Sequence, residues 1–375
     1  MPRIHGDGSI RQRKDGRWEA RLRDGSKQVS IYGKTRRDVA QQLKKARERL
    51  DAGKPVRDAN RTVADWAAQW VEVTLPASGR AATTRDQYTI LTRKHIIDDE
   101  LGSLRLGKVT GGDVERWLGR KATQGYAAST RRTMYAVLRA ILDTAVRDRL
   151  LARNPVHDVK RPAQQSSEAA HLAPAEVARI LDAARSSRYH PVLVLIAATG
   201  CRKGEALGLR WRDINLSAAQ LTIRGSLART SGGILLTEAK SATSRREVPL
   251  HQGVVAMLRD WKRQQQDEKL AAGNVWEEGT LGDLVFRTEL GRPVDPRNVL
   301  RAMETAARRC GIAVDDVHAL RHSAATAWLE AGVHVKAVSS LLGHSSISIT
   351  GDLYGHRSEE AGRSAVDGLG DALGF

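Results

Sequence analysis

The sequence predicts a multidomain, mainly α-helical protein that carries two small regions of β structure. Alternation of polar and apolar residues, typical of half-buried strands, is confined to the N-terminal segment and to a short stretch of the second half. Helical periodicity dominates the rest, and breaks rich in Gly, Pro or Ser separate the segments. We therefore expect a sheet-plus-helix module at 1–57, a helical domain at 58–160, a linker at 161–170 and an α+β domain at 171–375 with a small three-stranded antiparallel sheet.

The N-terminal module is predicted to be a small sheet covered by one helix. Residues 18–23 and 28–32 alternate between polar and apolar side chains, and the pair Asp15-Gly16 is typical of a tight turn. Thr35 is a suitable N-cap for the amphipathic helix that follows. This pattern argues against a disordered basic tail, although the module is too small to be an enzyme.

The second segment has the pattern of an all-helical domain. Thr62 precedes a helix in which Trp66 and Trp70 are four residues apart and therefore share a face. Asn154-Pro155 ends the last helix, and the Gln- and Ser-rich stretch that follows is typical of a flexible linker. Three further helices are predicted at residues 84–97, 110–121 and 129–149.

The C-terminal domain combines helices with the small sheet. Residues 192–198 are nearly all apolar, which predicts a buried helix. The three strands are expected at 221–224, 233–236 and 246–248, and Lys240 would lie in the turn that joins the second and third strands. Four more helices are predicted at residues 252–269, 296–310, 316–330 and 335–342.

The chain carries 61 Lys and Arg against 43 Asp and Glu, a net charge of +18 with an isoelectric point near 10.3. This balance favours a polyanionic partner, with nucleic acid first and an anionic membrane surface second. No apolar run is long enough to span a membrane and no signal pattern begins the chain, so we expect a cytoplasmic protein without a membrane partner. Residues 1–57 hold a net +10 of the charge, and the two cysteines argue against a disulfide framework.

A series of basic and imidazole residues precedes a tyrosine near the C terminus. The segment 318–322 reads His-Ala-Leu-Arg-His, a Leu-Leu-Gly-His run ends at His344, and Tyr354 follows between a leucine and a glycine. Each residue alone has an ordinary interpretation, because a single His is more often structural than catalytic and a single Tyr is usually half buried. The information lies in their order, with Arg202 in Thr-Gly-Cys-Arg and Lys240 upstream of them.

These motifs resemble the boxes of the tyrosine recombinase (phage integrase) family. The resemblance implies a site-specific recombinase with an arm-type DNA-binding domain, a core-binding domain and a catalytic domain, in this order. It also implies that strands are cut and rejoined through a 3′-phosphotyrosyl intermediate and a Holliday junction, which integrates a mobile genome and, with an accessory factor, excises it. The matching catalytic positions are Arg202, Lys240, His318, Arg321, His344 and Tyr354.

The same resemblance implies the partners. These are double-stranded DNA with core-type and arm-type attachment sites, a homotetramer on that DNA, a host DNA-bending protein and an excision factor, in a bacterial cell. DNA contacts are expected from the basic N-terminal module, whose strands would enter the major groove, and from the helical domain, for which a solvated face is the alternative. The candidate side chains are Arg11, Arg13, Lys14, Arg17, Arg21, Arg23, Lys27, Arg131 and Arg132.

The chemistry of tyrosine attack on a phosphodiester explains why these residue types suit the site. Arg202 and Arg321 can bind non-bridging oxygens through paired N–H groups and stay charged at any working pH. Lys240 can protonate the leaving 5′ oxygen. The remaining pair, His318 and His344, can bind the phosphate and assist proton movement near the nucleophilic tyrosine.

Two further residues are expected to support this set. Glu205, three positions after Arg202, would orient that arginine or His318, and His322 would pack beside the phosphate. The spacing of His318 and His322 could imitate a zinc helix, but the accompanying glutamate is missing, so we expect no metal site. A Walker-type glycine loop is also missing, and we expect no cofactor.

Three alternatives stay open at this point. A transposon recombinase or a chromosome-dimer-resolving recombinase would use the same catalytic set, but the basic N-terminal module favours integration. A type IB topoisomerase would use similar chemistry without needing that module. A non-catalytic DNA-binding regulator belongs to a different class, and the complete set of motif residues argues against it.

Overall fold

The computed structural model describes residues 9–24, 27–51, 61–163, 171–238, 245–314, 316–343 and 367. The chain divides into two compact units, Met1–Ser166 and Ser167–Phe375. The first unit contains two separate apolar cores, one in the N-terminal module and one in the helical segment. Over the described residues, no helix is both long enough and apolar enough to cross a membrane.

The N-terminal module is a three-stranded antiparallel sheet with one helix against it. Strands β1 (Ser9–Gln12), β2 (Trp18–Asp24) and β3 (Lys27–Gly33) pair in that order, and α1 (Arg36–Asp51) follows. The Thr35 hydroxyl accepts a hydrogen bond from the Asp38 amide at 3.1 Å, as expected for an N-cap. The core between sheet and helix is formed by Ala20, Leu22, Val39, Leu43 and Ala46.

Two helices of the helical segment begin at capping boxes. Thr62 with Asp65, and Thr110 with Asp113, exchange side-chain and backbone hydrogen bonds at the starts of their helices. The indole of Trp66 donates to the Ile141 carbonyl at 2.9 Å from inside the core. The helices are α2 (Val63–Gln69), α3 (Ala82–Thr92), α4 (Glu100–Ser103), α5 (Gly111–Thr123) and α6 (Ala128–Arg147), and π-helical turns extend α2 over Trp70–Thr74 and α3 over Arg93–Ile97.

The second unit has a helical core with short strands at one side. Its strands are β4 (Ile214–Asn215), β5 (Gln220–Ile223), β6 (Gly225–Thr230), β7 (Gly233–Glu238) and β8 (Arg246–Pro249). Its helices are α7 (Pro174–Ala183), α8 (His190–Thr199), α9 (Lys203–Leu207), α10 (Gln252–Ala272), α11 (Pro296–Arg309), α12 (His318–Glu330) and α13 (Val335–Leu342). The predicted apolar helix is α8, whose inner residues are completely buried and which packs against α12. The predicted fold class, mainly α with small antiparallel sheets, is confirmed.

The membership of the three-stranded sheet differs from the prediction. The sheet is β4-β5-β8, whereas β7 pairs with its sequence neighbour β6 in a separate two-stranded hairpin. A hairpin closes a short loop at little entropic cost, and Gly233, with φ +110°, begins β7 and pairs with Thr230 directly after the two-residue turn. The predicted pairing of the 233–236 strand with the 246–248 strand was therefore wrong. Lys240 lies outside the described residues, between β7 and β8.

Candidate active site

The first candidate residue, Arg202, lies at the N-cap of the short helix α9. Its backbone amide donates to Glu205 Oε2 at 2.8 Å, and its Nη1 donates to Glu205 Oε1 at 2.9 Å. Glu205 thus begins the helix and holds the arginine side chain at the same time, as in a capping box. The Arg202 side chain keeps 43% of its surface exposed, so the guanidinium can still reach a ligand in solvent.

A second arginine, Arg246, binds Glu205 from the start of β8. Its Nη2 and Nη1 lie 2.7 and 3.2 Å from the Glu205 carboxylate, and both side chains are buried. Burial alone would raise the pKa of Glu205, but the hydrogen bond and charge of Arg246, assisted by Arg202, hold that pKa below its ordinary value. Sequence reasoning missed Arg246. A signal existed, because Arg246 alternates with Glu247 and would face inward with Val248, where an arginine needs a partner.

The third arginine, Arg321, lies on α12 and is 2% exposed. It donates from Nη1 to the Gly200 carbonyl at 2.7 Å and from Nη2 to the Leu342 carbonyl at 2.8 Å. Desolvation lowers the pKa of Arg321 to about 10, and the nearby charge of Arg202 adds to the effect. The guanidinium is still charged at neutral pH.

These three arginines meet at the C-terminal end of α13. Arg246 Nε donates to the Leu341 carbonyl at 2.6 Å, Arg321 to the Leu342 carbonyl, and Arg202 Nη2 to the Gly343 carbonyl at 3.5 Å. The last carbonyls of a helix have no partner within the helix and carry partial negative charge, which suits guanidinium donors. The two predicted arginines are therefore brought together, directly before His344.

Two left-handed glycines permit this close approach. Gly200, with φ +61°, ends α8, and a Cβ there would lie 2.8 Å from Leu342 Cδ2. Gly343, with φ +67°, ends α13, and a Cβ there would lie 2.7 Å from Arg246 Nη1. Both positions need a residue that tolerates positive φ and has no side chain.

The predicted histidines of the first motif lie on one side of α12. His318 and His322 are in edge-to-face contact with ring centroids 4.7 Å apart. Desolvation first, and then the charges of His322 and Arg321, lower the pKa of His318, while its ring still reaches solvent at the helix N-terminus. Desolvation and Arg321 also lower the pKa of His322. Both imidazoles are neutral at neutral pH, so they can donate and accept hydrogen bonds.

The remaining catalytic candidates, Lys240, His344 and Tyr354, lie outside the described residues, and their roles stay predictions. Among the residues that the structure describes, no group of three or more His, Cys, Asp or Glu side chains could hold a metal ion.

The outer face of the N-terminal sheet contains a second carboxylate with two arginines. Glu19 lies opposite Arg11 on β1 and Tyr32 on β3. Arg11 Nε donates to it at 2.8 Å and Arg21 Nε at 3.1 Å, and the Glu19 side chain is 3% exposed beneath them. Hydrogen bonds from Arg21 and then Arg11 lower the pKa of Glu19 to about 2. Arg13 lies 5.5 Å from the centroid of the Tyr32 ring.

The other DNA-contact candidates are distributed as follows. Lys14 and Arg17 are exposed in the β1–β2 connection, and Arg17 pairs with Asp15 at 2.9 Å. The side chains of Arg23 and Lys27 are outside the described part of the chain. In α6, Arg131 donates to the Tyr126 carbonyl and Arg132 to the Pro162 carbonyl, both at 3.1 Å. Their contacts with DNA remain predictions.

Comparison with known proteins identifies the family to which this sequence and fold are similar. Residues 170–361 match the model of the phage integrase family. An integrase of Streptomyces ambofaciens is 30% identical over 392 residues, covering 98% of this chain and 97% of the relative. A solved structure of the Tn1549 transposon integrase in complex with a circular intermediate DNA has a TM-score of 0.68 at 20% identity, over 82% of this chain and 99% of that one. A lambda integrase tetramer bound to a Holliday junction has a TM-score of 0.58 at 21% identity, over 90% and 95%.

The chain therefore belongs to the phage integrase family. Within that family it is a tyrosine recombinase integrase, an enzyme that cleaves and rejoins DNA strands.

Proposed function

We propose that this integrase cuts DNA by attack of Tyr354 on the scissile phosphate. The observation that carries the proposal is the convergence of Arg202 and Arg321, from α9 and α12, at the end of the helix that leads into His344. Two guanidinium groups at one point match the negative charge of a phosphodiester from two sides. Their pairing with helix carbonyls leaves further N–H groups, since each guanidinium carries five donors.

The reaction that we infer proceeds in two balanced steps. The Tyr354 phenol gives its proton to a neighbouring imidazole of His318 or His344, and its oxygen forms a bond to phosphorus while the bond to the 5′ oxygen breaks. Lys240 gives a proton to that leaving oxygen. The 3′-phosphotyrosyl ester keeps the energy of the broken bond. A 5′-hydroxyl of the partner strand then gives its proton to Lys240 and attacks the ester, which joins the exchanged strands, and the leaving tyrosine takes its proton back from the imidazole. His318 and His344 hydrogen-bond the phosphate during both steps, and neither step consumes ATP.

The substrate that we infer is a pair of double-stranded attachment sites of a mobile genome. The N-terminal sheet with its basic outer face would bind arm-type sequence, and the helical segment with the catalytic unit would hold core-type sequence. The lambda integrase tetramer on a Holliday junction supports a homotetramer that exchanges one strand pair at a time. We further propose that the protein acts on nucleoid DNA in the bacterial cytoplasm, with a host DNA-bending protein and an excision factor. The Tn1549 neighbour favours one variant of this proposal, in which the mobile genome is a transposon.

The assignment of the nucleophile can be tested directly. Wild-type protein incubated with a nicked core-site duplex should accumulate a covalent protein–DNA adduct, because the nick lets the 5′ fragment diffuse away. Tyr354→Phe should bind the same duplex and form no adduct, and Tyr189→Phe, in the same unit, serves as a matched control that should cleave normally. An adduct in the Tyr354→Phe variant would reject Tyr354 as the nucleophile.

A further inference from the structure

We propose that Arg246 is a positioning residue for DNA cleavage. It would hold Glu205, and through Glu205 the guanidinium of Arg202, in a fixed relation to the end of α13. The inference rests on the proposed role of Arg202 as a phosphate-binding residue.

The position of Arg246 follows from the register of β8. Arg246 pairs with Ile223 at the end of the β5–β8 ladder, and alternation along the strand directs Arg246 and Val248 inward while Glu247 and Pro249 face solvent. An arginine at the first inward position therefore lies beside α9 and α13 with its side chain only 6% exposed. Such a group is stable only when its donors are satisfied.

The guanidinium of Arg246 bridges two elements with three nitrogens. Nη1 and Nη2 bind the Glu205 carboxylate at 3.2 and 2.7 Å, and Nε binds the Leu341 carbonyl at 2.6 Å. A planar fork that makes all of these bonds at once fixes the distance and angle between α9 and α13. A lysine has one ammonium nitrogen and cannot bind the carboxylate and the carbonyl with the same geometry.

The charge balance shows what this bridge does for Arg202. With one arginine, Glu205 would form a neutral pair, and the carboxylate would compete with a DNA phosphate for the Arg202 guanidinium. With both arginines on one carboxylate, the cluster keeps a net charge of +1, and the exposed side of Arg202 carries it. Arg246 therefore orients Arg202 and also leaves its charge available to the phosphate.

The same guanidinium packs against the last described residue before His344. The backbone of Gly343 lies so close that a Cβ would approach Arg246 Nη1 to 2.7 Å. A change at Arg246 would thus disturb Arg202 and Gly343 together.

The test compares Arg246→Lys with a matched buried arginine. Arg287 is also buried in the same unit and donates to the carbonyls of Glu277, Glu278 and Gly291. Arg287→Lys therefore reproduces the loss of a buried guanidinium without touching Glu205. Covalent adduct formation on the nicked core duplex is followed at saturating DNA, and the dissociation constant is measured separately. We expect Arg246→Lys to cleave roughly 100-fold more slowly, the size of effect that a small misplacement of a reacting group produces, with an unchanged dissociation constant. Arg287→Lys should cleave at the wild-type rate per folded molecule.

A substrate with a neutral methylphosphonate at the scissile position separates positioning from general loss of stability. This group lacks the charge that Arg202 balances, so the defects of Arg202→Ala and Arg246→Lys should both shrink strongly on it. Equal Arg246→Lys defects on both substrates, or wild-type cleavage by a folded Arg246→Lys protein, would overturn the proposal. If Arg202→Ala itself cleaves normal DNA at the wild-type rate, the proposed phosphate role of Arg202 fails instead.

A second variant covers the case in which Arg246→Lys does not fold. Glu205→Gln keeps the size of the side chain and breaks the same bridge from the other end. It should show the same slow cleavage, the same unchanged affinity and the same recovery on methylphosphonate. A Glu205→Gln protein that cleaves like wild type would reject the bridge.

Discussion

Two regions of this chain use the same charge group, one glutamate held by two arginines, in different surroundings. On the N-terminal sheet, Glu19 binds Arg11 and Arg21, whose side chains stay 54% and 39% exposed. In the second unit, Glu205 binds Arg202 and Arg246, and Arg246 is only 6% exposed. Both carboxylates are buried, so the difference lies in the arginines: water screens Arg11 and Arg21, whereas Arg246 lies in a low dielectric where an unpaired charge is very costly. The sheet therefore keeps both arginines of its group at the surface, whereas the second unit buries one arginine that joins Glu205 to the end of α13.

Deleting residues 1–57 should have the largest effect among the changes that test this comparison. We expect covalent cleavage of a short nicked core duplex to continue, since the arginine cluster lies wholly in the second unit. Recombination between long sites should be abolished, because tethered arm and core contacts act together only when both modules are present. The two assays are run side by side on one preparation. Full recombination by the truncated protein would show that the basic module acts only as an electrostatic tail.

Exchanging one arginine in each group should give opposite results. Arg202→Ala removes a charged donor at the proposed phosphate and should slow cleavage about 10²- to 10³-fold with little change in core-site affinity. Arg21→Ala should weaken binding to arm-type DNA and leave cleavage of the core duplex unchanged. Adduct formation and gel-shift titrations measure the two effects. A parallel loss of affinity and cleavage in Arg202→Ala would assign that residue to docking.

Neutralising each carboxylate tests the difference in exposure between the arginine partners of the two groups. Loss of one partner from a buried charge group destabilises a protein by about 3–5 kcal/mol, and we expect Glu205→Ala to approach this range in chemical denaturation. Glu19→Ala should change the midpoint of unfolding far less, since its arginines can turn to water. Comparable losses in both variants would show that the sheet cluster is structural as well.

A pH titration should separate the two units. The pKa of His318 is lowered in the folded state, so the folded protein resists protonation there, and the resulting stability is complete above the unfolded pKa of 6.5 and is lost as pH falls toward the folded value. Amide protection of α12, corrected for intrinsic exchange, should therefore decrease between pH 7 and pH 5. The pKa of Glu19 lies near 2, so protection of β2 should stay constant over this interval and fall only below about pH 4.5. His318→Gln should remove most of the change in α12.

The smallest expected effect is on the salt dependence of DNA binding. Glu19→Gln frees Arg11 and Arg21 from their carboxylate, so one additional phosphate contact becomes possible. The slope of log affinity against log salt for non-specific DNA should steepen by up to about 1. Tyr32→Phe, which removes only a 3.4 Å hydrogen bond to the same carboxylate, is the matched control and should leave the slope unchanged.

The longer helices were predictable from sequence because their signals are local, whereas the short helices α4 and α9 were not predicted. Thr62, Thr110 and the apolar stretch around α8 each contain the cap or burial pattern that their element needs. Strand pairing depends on a partner as well as on the strand itself, and the 233–236 strand could satisfy its hydrogen bonds either with β8 or with β6. The sequence pattern contains no information on that choice beyond the nearby glycine turn.

The three arginines at the end of α13 likewise include two that could be recognised from sequence and one that could not. Arg202 and Arg321 were found because they stand in recognisable motifs, and Glu205 because of its spacing from Arg202. Arg246 was missed because its partners, Glu205 and the Leu341 carbonyl, are 41 and 95 residues away. Backbone carbonyls leave no trace in a residue pattern, so a side chain that binds them cannot be recognised from sequence alone.

The three arginines at the end of α13 have partners far along the chain, and this separation determines when the enzyme can become active during synthesis. Arg202 and Arg246 meet their carbonyl partners 141 and 95 residues later in the chain. A ribosome must therefore release nearly all of the second unit before these contacts can form, whereas the N-terminal sheet and the helical segment can fold earlier. A nascent or prematurely terminated chain therefore cannot assemble its arginine cluster.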